Sequence, residues 1–286
     1  MITIRIVLDC PVSDERPEVL SMTKQLVIEN QALRPLASVP AAGHIFDVDR
    51  RLGTVELDER QCLRVDGVAR YLQDVGVDHL EHVGALREHP HWIVRRTVID
   101  VIRPIAWPAE LRLRRWCSGL SSRWCTMRVR LDADNGGPIE TEGFWIHMNK
   151  ESMSPSRFSD RFFDLLATTT DEHRLRWRQW LNEPLPSAAG ARFPLRRSDI
   201  DHFEHLTNTA YWDGVHEFAA TAPDLTAGPH RYVLEYNRPI RFGEDVHIHA
   251  ERTAEALTLW FAVDREVRAV ARIGELPGEW HRPQFT

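Results

Sequence analysis

The segment DIDHFEHLTNTAYW, residues 199–212, carries the densest group of side chains that could do chemistry. Asp199, Asp201, His202 and His205 place two carboxylates and two imidazoles within seven residues. Either group can take a proton from water, and an imidazole can pass it on to a leaving group, so the composition fits general acid–base hydrolysis. A second interpretation stays open, because an aspartate ahead of a helix commonly hydrogen-bonds to the turn that follows it.

The spacing inside this segment predicts which side chains share a space. In an extended chain, side chains two residues apart project to the same side. Asp201, Phe203 and His205 would then face one space, with Asp201 or His205 as the base, while His202 and Glu204 would face water. An interface histidine held by hydrogen bonds is the alternative for His205.

A helix is predicted to begin just after this segment, with Thr207 or Asn208 as its N-cap. The first N–H groups of a helix lack intrahelical partners, so they could stabilise an oxyanion without any particular side chain. Tyr211 and Trp212 follow and are predicted to form core and the wall of a groove.

The elements around the segment belong to a repeat. VIDVIRPIAWPAELRLR (98–114) and VLEYNRPIRFGEDVHIH (233–249) align without a gap at an offset of 135 residues and share the tripeptide RPI. Asp100 and Glu235 occupy equivalent positions in the two copies. A fixed-period match of this length predicts an internal duplication.

Each half is predicted to contain one helix followed by several antiparallel strands. Apolar residues at helical spacing predict helices over Val65–His82, with Asp66 as N-cap, and over Ala210–Ala219. Alternating apolar residues predict strands, at 98–103, 111–115, 123–131, 139–148, 257–263 and 267–273. The predicted organisation is an N-terminal domain, a linker with some helix and a C-terminal domain, at 1–150, 151–191 and 192–286.

Composition excludes several classes of protein. The chain has 286 residues, 43% hydrophobic and 27% charged, with a formal net charge of −6, which gives no argument for nucleic-acid binding. Its four cysteines form no CxxC and have no zinc spacing, so we expect no metal, no cofactor and a reducing, cytoplasmic location. MITIRIVLDCPV at the N-terminus is not the pattern of a signal peptide, and no apolar run is long enough to span a membrane.

Four segments together resemble the acyl-acyl-carrier-protein thioesterases. They are LRVDGVARYLQDVGVDH (63–79), FWIHMN (144–149), DIDHFEHLTNTAYW (199–212) and LEYNRPIRFGEDV (234–246). The resemblance implies an α+β fold of the tandem, or double, hot dog type, in which each half is a long helix wrapped by a curved antiparallel sheet.

The third segment is the most specific part of the resemblance. The family pattern is aspartate, any residue, asparagine, any residue and histidine, followed by valine, two asparagines and a tyrosine. The resemblance therefore implies Asp201, His205 and Asn208 as catalytic residues. It implies four substrate-binding residues, which are Phe203, Thr207, Tyr211 and Trp212.

Two catalytic positions depart from the family pattern, and Thr207 stands where the first of the paired asparagines is usual. Phe203 stands where the catalytic asparagine is expected, and a phenyl ring can hold neither a thioester oxygen nor a water. Pro239 stands where the catalytic glutamate is expected, and Ile240 where plant members often have cysteine.

The resemblance implies a thioesterase that releases a fatty acid from an acyl-carrier-protein or coenzyme A thioester in fatty acid biosynthesis. The departures leave open an acyl-thioester-binding protein without turnover, and a hot dog hydratase or dehydratase is a third interpretation. Acyl chain length and oligomeric state stay open, with a homodimer as one expectation. Arginines that could meet an acidic carrier, or simply face water, are Arg95, Arg96, Arg112, Arg114, Arg115, Arg123, Arg128 and Arg130.

Overall fold

The computed structural model describes residues 34–276, so Cys10 and the N-terminal segment discussed above lie outside the described residues. In that range the α-helices are α1 (Val65–His82), α2 (Asp160–Ala167) and α3 (Ala210–Ala219). The strands are β1 (Phe46–Arg51), β2 (Trp92–Val101), β3 (Glu110–Leu120), β4 (Trp124–Ala133), β5 (Gly136–His147), β6 (Ala191–Phe193), β7 (His230–Tyr236), β8 (Val246–Arg252), β9 (Ala256–Val263) and β10 (Glu266–Glu275). None of the helices in residues 34–276 is both long and apolar enough to cross a membrane.

All ten strands form one sheet, and every neighbouring pair is antiparallel. The order across the sheet is β1-β3-β4-β5-β2-β7-β10-β9-β8-β6. Read outward from the centre, β2-β5-β4-β3-β1 and β7-β10-β9-β8-β6 have the same connectivity. The two halves meet where β2 pairs with β7.

The contact between β2 and β7 brings equivalent positions of the sequence repeat together. Val98 lies opposite Val233, the residue 135 positions later. Arg96 donates to Glu235 across the contact at 3.0 Å, and Arg231 donates to Asp100 at 2.6 Å. In the first ion pair the arginine is on β2 and the acid on β7, and in the second the arginine is on β7 and the acid on β2. All four side chains are buried. Both are charge-assisted hydrogen bonds, which are stronger than neutral ones.

The helices cover one face of the sheet. Val68 and Val75 of α1 and Val215 of α3 are buried in one cluster with Ile99 of β2 and Phe261 of β9. Because successive side chains of a strand point to opposite faces, this cluster occupies one face of the sheet. The opposite face packs against a different segment of the same chain.

Residues 172–188, the covering segment, lie over the opposite face. The segment begins where Leu120 N donates to Glu172 O at 2.7 Å, and it ends where His249 Nδ1 bonds to Ala188 O at 2.8 Å. In between, the backbone N of Trp180 donates to Glu235, and the Trp180 ring packs with Val98 and Val233. The predicted linker therefore joins the two halves of the sheet without regular secondary structure over this stretch.

Several predicted boundaries change in the structure. The strand predicted at 98–103 begins earlier, at Trp92, and ends at Val101, short of Pro104. The strand predicted at 111–115 continues to Leu120. The N-cap of α1 is Arg64, so the prediction of Asp66 is wrong, because the Asp66 carboxylate pairs instead with Arg64 at 2.7 Å inside the first turn.

The N-cap of α3 is Thr209, so the prediction of Thr207 or Asn208 is also wrong. Ala210 N donates to Thr207 O in the turn just before the helix, and the Asn208 side chain bonds elsewhere.

Candidate active site

Residues 201–205 form a tight turn and not the predicted extended chain. Asp201 Oδ1 accepts hydrogen bonds from the backbone N of Phe203 at 2.8 Å and of His205 at 3.1 Å. Asp201 N donates to His205 O at 2.8 Å, which closes the turn, and Glu204 has a φ of 61°. Leu206 N then donates to Ile240 O at 2.7 Å and fixes the turn to the chain after β7. The turn-forming role considered for Asp201 is therefore present in the structure.

This turn borders a cavity of about 590 Å³. The cavity lies between α1 and the strands of the N-terminal half, and its volume is typical of a site for a small molecule. Apolar side chains of α1, of the strands β2, β4 and β5, of α2 and of the connecting loop line much of it, including Leu80, Leu86, Trp92, Met127, Trp145 and Phe162.

Six of the seven predicted site residues line this one cavity, and they are Asp201, Phe203, His205, Thr207, Asn208 and Tyr211. Trp212 does not line it. Its ring is buried in the core, where Nε1 donates to the Tyr236 hydroxyl at 3.1 Å. His202 was predicted to face away, yet it lines the cavity with its ring 4.0 Å from that of Phe203, because the turn brings neighbouring side chains together.

Asn208 makes a hydrogen bond that the sequence did not indicate. Its Nδ2 donates to Oε1 of Gln73 at 3.1 Å, and its backbone O accepts from the Tyr236 hydroxyl at 3.2 Å. Gln73 lies on α1 in the other half of the chain and also lines the cavity. The structure therefore brings a second amide to the site.

Phe203 and Pro239, the two departures from the family pattern, both border the cavity. The Phe203 ring meets the His91 ring edge to face, with 5.5 Å between ring centroids. His91 Nδ1 is buried without a hydrogen-bond partner among the described residues. An aromatic wall thus stands at the position where the family pattern has an amide.

Tyr211, one of the lining residues, keeps an uncharged hydroxyl. Burial raises the pKa of its phenol well above the usual range, so it stays protonated at any physiological pH. Its ring packs against Tyr236 and Phe261.

A polar chain lies on the β3 side of the cavity. Arg115 of β3 lines the cavity, and its Nη1 donates to Nδ1 of His79 on α1. His79 is fully buried, and its Nε2 lies 2.9 Å from His44 Nε2. Burial, followed by the nearby charge of Arg115, lowers the pKa of His79 to about 2, so its ring is neutral. Burial lowers the pKa of Arg115 to about 10, so its guanidinium stays charged near neutral pH.

Two of the strand arginines that could have met a carrier or faced water do neither. Arg96 and Arg128 are buried and pair with Glu235 and Glu140. Other pairs lie within the sheet, such as Arg114 with Asp132 at 2.7 Å. Alternation along the strands did not reveal these partners, because the carboxylates come from neighbouring strands.

The structure describes no group of three or more His, Cys, Asp or Glu side chains in residues 34–276 that could hold a metal ion. Cys62, Cys117 and Cys125 are free thiols.

Models of two protein domains match most of the chain. The acyl-ACP thioesterase N-terminal domain matches residues 43–166, and the acyl-ACP thioesterase C-terminal domain matches residues 183–275. The chain belongs to the acyl-ACP thioesterase family.

One relative is similar to this chain in sequence, and two solved structures are similar to it in fold. An uncharacterized protein of Mycobacterium tuberculosis is 49% identical over 241 residues, which cover 84% of this chain and 96% of that protein. An acyl-ACP thioesterase of Bacteroides thetaiotaomicron has a similar structure, with a TM-score of 0.67, 13% identity, and coverage of 80% of this chain and 97% of that chain. The 12:0-ACP thioesterase of Umbellularia californica gives a TM-score of 0.64 at 16% identity and covers 84% and 98%. The fold is the mixed α/β hot dog fold of these thioesterases.

Proposed function

We propose that this protein hydrolyses a fatty acyl thioester of acyl carrier protein or coenzyme A to a free fatty acid and a thiol. The observation that carries the proposal is the cavity of about 590 Å³, which is lined by apolar side chains and bordered by the turn holding Asp201 and His205. An acyl chain needs a dry space beside its reacting carbonyl, and hydrolysis needs a base at the same place.

In the proposed reaction the acyl chain occupies the cavity and the thioester carbonyl lies beside residues 201–208. The His205 imidazole takes a proton from water as the water oxygen attacks the carbonyl carbon, and the charge of Asp201 favours the imidazolium that forms. The tetrahedral intermediate then collapses, the carbon–sulfur bond breaks, and His205 returns the proton to the sulfur. Amide groups of Gln73, held by Asn208, and backbone N–H groups near the start of α3 stabilise the oxyanion.

We further infer that the chain is a tandem of two hot dog units, 1–150 and 192–286, joined by 151–191. The identical strand connectivity of the two halves and the exchanged ion pairs between β2 and β7 support this. Free, buried Cys117 and Cys125 are in keeping with a reducing, cytoplasmic location. A role in fatty acid biosynthesis and assembly as a homodimer remain parts of the proposal.

Release of thiol from purified acyl-carrier-protein and acyl-coenzyme A thioesters tests the proposal. The Asp201→Asn variant keeps an oxygen at Oδ1 that accepts the two turn hydrogen bonds but removes the charge. We expect this variant and His205→Gln to lose about 10²–10⁴ in kcat/KM with little change in melting temperature. Glu204→Gln, on the exposed side of the same turn, is the control and should keep wild-type activity. A wild-type rate no higher than the blank would overturn the proposal.

An acyl-thioester-binding protein without turnover is the second candidate. The side chains of Phe203 and Pro239 at the cavity favour it, because neither can donate to an oxyanion or activate water. Mass spectrometry of the protein incubated with an acyl thioester separates the two candidates. Recovery of intact bound thioester supports binding alone, and rapid conversion to free acid excludes it.

A further inference from the structure

The cavity extends across the N-terminal half of the sheet, away from the turn at residues 201–205. Its lining includes Trp92 on β2, Trp145 on β5, Met127 on β4 and Arg115 on β3, which are four successive neighbours in the sheet. With strands about 4.8 Å apart, β3 lies about 14 Å from β2. The turn lies on the other side of β2, next to the chain after β7. Arg115 therefore lies on the β3 side of the cavity, and it also lines a smaller pocket of about 30 Å³ together with Gln73 and Asn208.

Arg115 is half-buried and lines the cavity, and it differs from the buried Arg96 and Arg128 in having no acidic partner among residues 34–276. Arg96 pairs with Glu235, and Arg128 pairs with Glu140. The one hydrogen-bond partner of the Arg115 guanidinium among the described residues is the neutral His79 ring. A buried charge is normally paired, because the loss of hydration is otherwise uncompensated.

The hydrogen bonds around Arg115 leave donors for a ligand. A neutral His79 accepts the Arg115 hydrogen bond at Nδ1, so its Nε2 carries the proton and donates to His44 Nε2. This chain fixes the guanidinium against α1 through Nη1. A guanidinium has five N–H donors. Because Arg115 lines the cavity, donors that do not bond to His79 can meet a ligand there.

We propose, on the basis of the proposed function, that the acyl group held by this cavity carries an oxygen acceptor in addition to its thioester oxygen, and that Arg115 binds this oxygen. A carboxylate matches the planar, charged guanidinium best, because it can accept two parallel hydrogen bonds. A hydroxyl or keto oxygen offers the same contact with one acceptor. A plain alkyl end would instead displace water from the guanidinium without offering a hydrogen-bond acceptor in its place.

Binding of non-hydrolysable thioether analogues tests this specificity without requiring turnover. Three analogues of one chain length end in a methyl, a hydroxyl or a carboxylate, and calorimetry gives the Kd of each. We expect the wild type to bind at least one of the two oxygen-ended analogues about tenfold or more tighter than the methyl-ended one, the range of a hydrogen bond to a charged group. The preferred analogue tells a carboxylate from a neutral oxygen.

Substitution of Arg115 assigns the preference to this side chain. Arg115→Met should abolish or reverse the preference while the methyl-ended analogue binds as well or better. Arg114→Met is the matched control, because Arg114 is the adjacent residue on β3, pairs with Asp132 and is not part of the cavity lining. It should keep the wild-type preference.

Equal or tighter binding of the methyl-ended analogue by the wild type would overturn the proposal, as would an unchanged preference in Arg115→Met. If Arg115→Met does not fold, as judged by thermal melting, Arg115→Lys takes its place. This variant keeps the charge but loses the planar fork, so the preference for the carboxylate should fall. An unchanged preference in that variant would also overturn the proposal. Failure of the thioesterase proposal appears separately, as an absence of thiol release.

Discussion

At the scale of single residues, the side chain of Phe203 is the feature of the site that bears most directly on rate. It lines the cavity at the position where the family pattern has asparagine. An amide there would add a donor for the oxyanion, and one such donor is worth about 10²–10³ in rate in other hydrolases. We therefore expect Phe203→Asn to raise kcat for thioester hydrolysis by about tenfold or more, as measured by thiol release.

The control for Phe203→Asn is Glu204→Asn. It introduces the same amide one residue later, on the exposed side of the turn, and at a φ of 61° that asparagine tolerates well. This variant should keep the wild-type rate. A rate for Phe203→Asn at or below that of the wild type would mean that the aromatic wall does not limit catalysis.

His79 should make the stability of the fold depend on pH. Its ring stays neutral in the folded protein down to a pKa of about 2, whereas the unfolded chain binds a proton near the ordinary value of 6.5. Between these values the unfolded state holds more protons, so stability falls as pH falls below 6.5, by about 1.4 kcal/mol per pH unit. Urea unfolding at about pH 7 and about pH 5 should show the wild type losing about 2 kcal/mol more than His79→Gln.

Glutamine suits this test because its side-chain oxygen can still accept from Arg115 but does not titrate. Burial also lowers the pKa of His44, His89, His147 and His230, and these residues remain in both proteins. The difference between the two proteins therefore reports His79 together with its hydrogen bond to His44. Equal losses on acidification would contradict the prediction.

The sequence predicted the chemical types at the site better than their geometry. Spacing and resemblance placed Asp201, His205 and Asn208 together, and the structure finds all three at one cavity. The predicted extended chain was wrong, because the Asp201 carboxylate captures two backbone N–H groups and closes a turn. Gln73, the partner of Asn208, could not be predicted, because it comes from a helix 135 residues earlier in the chain.

At the scale of elements, the contact between β2 and β7 depends on buried ion pairs. Removing one partner leaves a buried charge without compensation, which costs about 3–5 kcal/mol. Glu235 also accepts hydrogen bonds from the backbone N–H groups of Trp180 and Leu181, so it also fixes the covering segment to the sheet. We expect Glu235→Ala to lower the free energy of unfolding by at least this amount in denaturant titrations.

Two further variants give this prediction its controls. Asp245→Ala removes an exposed partner of Arg192, and the midpoint of unfolding should stay almost unchanged. Arg96→Met combined with Glu235→Leu removes both charges and should recover much of the stability lost in Glu235→Ala. A loss in Glu235→Ala no larger than that in Asp245→Ala would contradict the prediction.

Helices were easier to predict than strand ends and caps. Apolar spacing gave the helix Val65–His82 with the bounds that the structure has, and also Ala210–Ala219. The predicted N-caps were wrong, because the Asp66 carboxylate pairs with two arginines and the Asn208 side chain donates to Gln73. Competing side-chain partners of this kind depend on the tertiary structure and not on local sequence.

At the scale of the whole molecule, the two halves should stay together when the chain between them is cut. Six residue pairs join β2 to β7, and the two buried ion pairs lie within this contact. We expect a protein cleaved at a protease site inserted after the exposed Ser187 to elute as one species in gel filtration. Separation of the two pieces under native conditions would show that the covalent link is needed.

The same cut in Glu235→Ala provides the comparison. Loss of the ion pair with Arg96 should make the two pieces separate at a lower denaturant concentration than in the cleaved wild type. The repeat in the sequence had indicated two equivalent halves. The repeat could not indicate that equivalent residues contact each other, because an offset of 135 residues does not specify which strands pair.

The exchanged ion pairs at β2 and β7 also bear on how such a chain could arise. Arginine followed four positions later by an acid is self-complementary when a strand pairs with an antiparallel copy of itself. A single ancestral unit with this pattern could pair with an identical copy of itself, because an isologous contact uses the same patch on both subunits. Fusion of two such units would preserve the geometry of a homodimer inside one polypeptide, with Asp100 and Glu235 as its two equivalent acids.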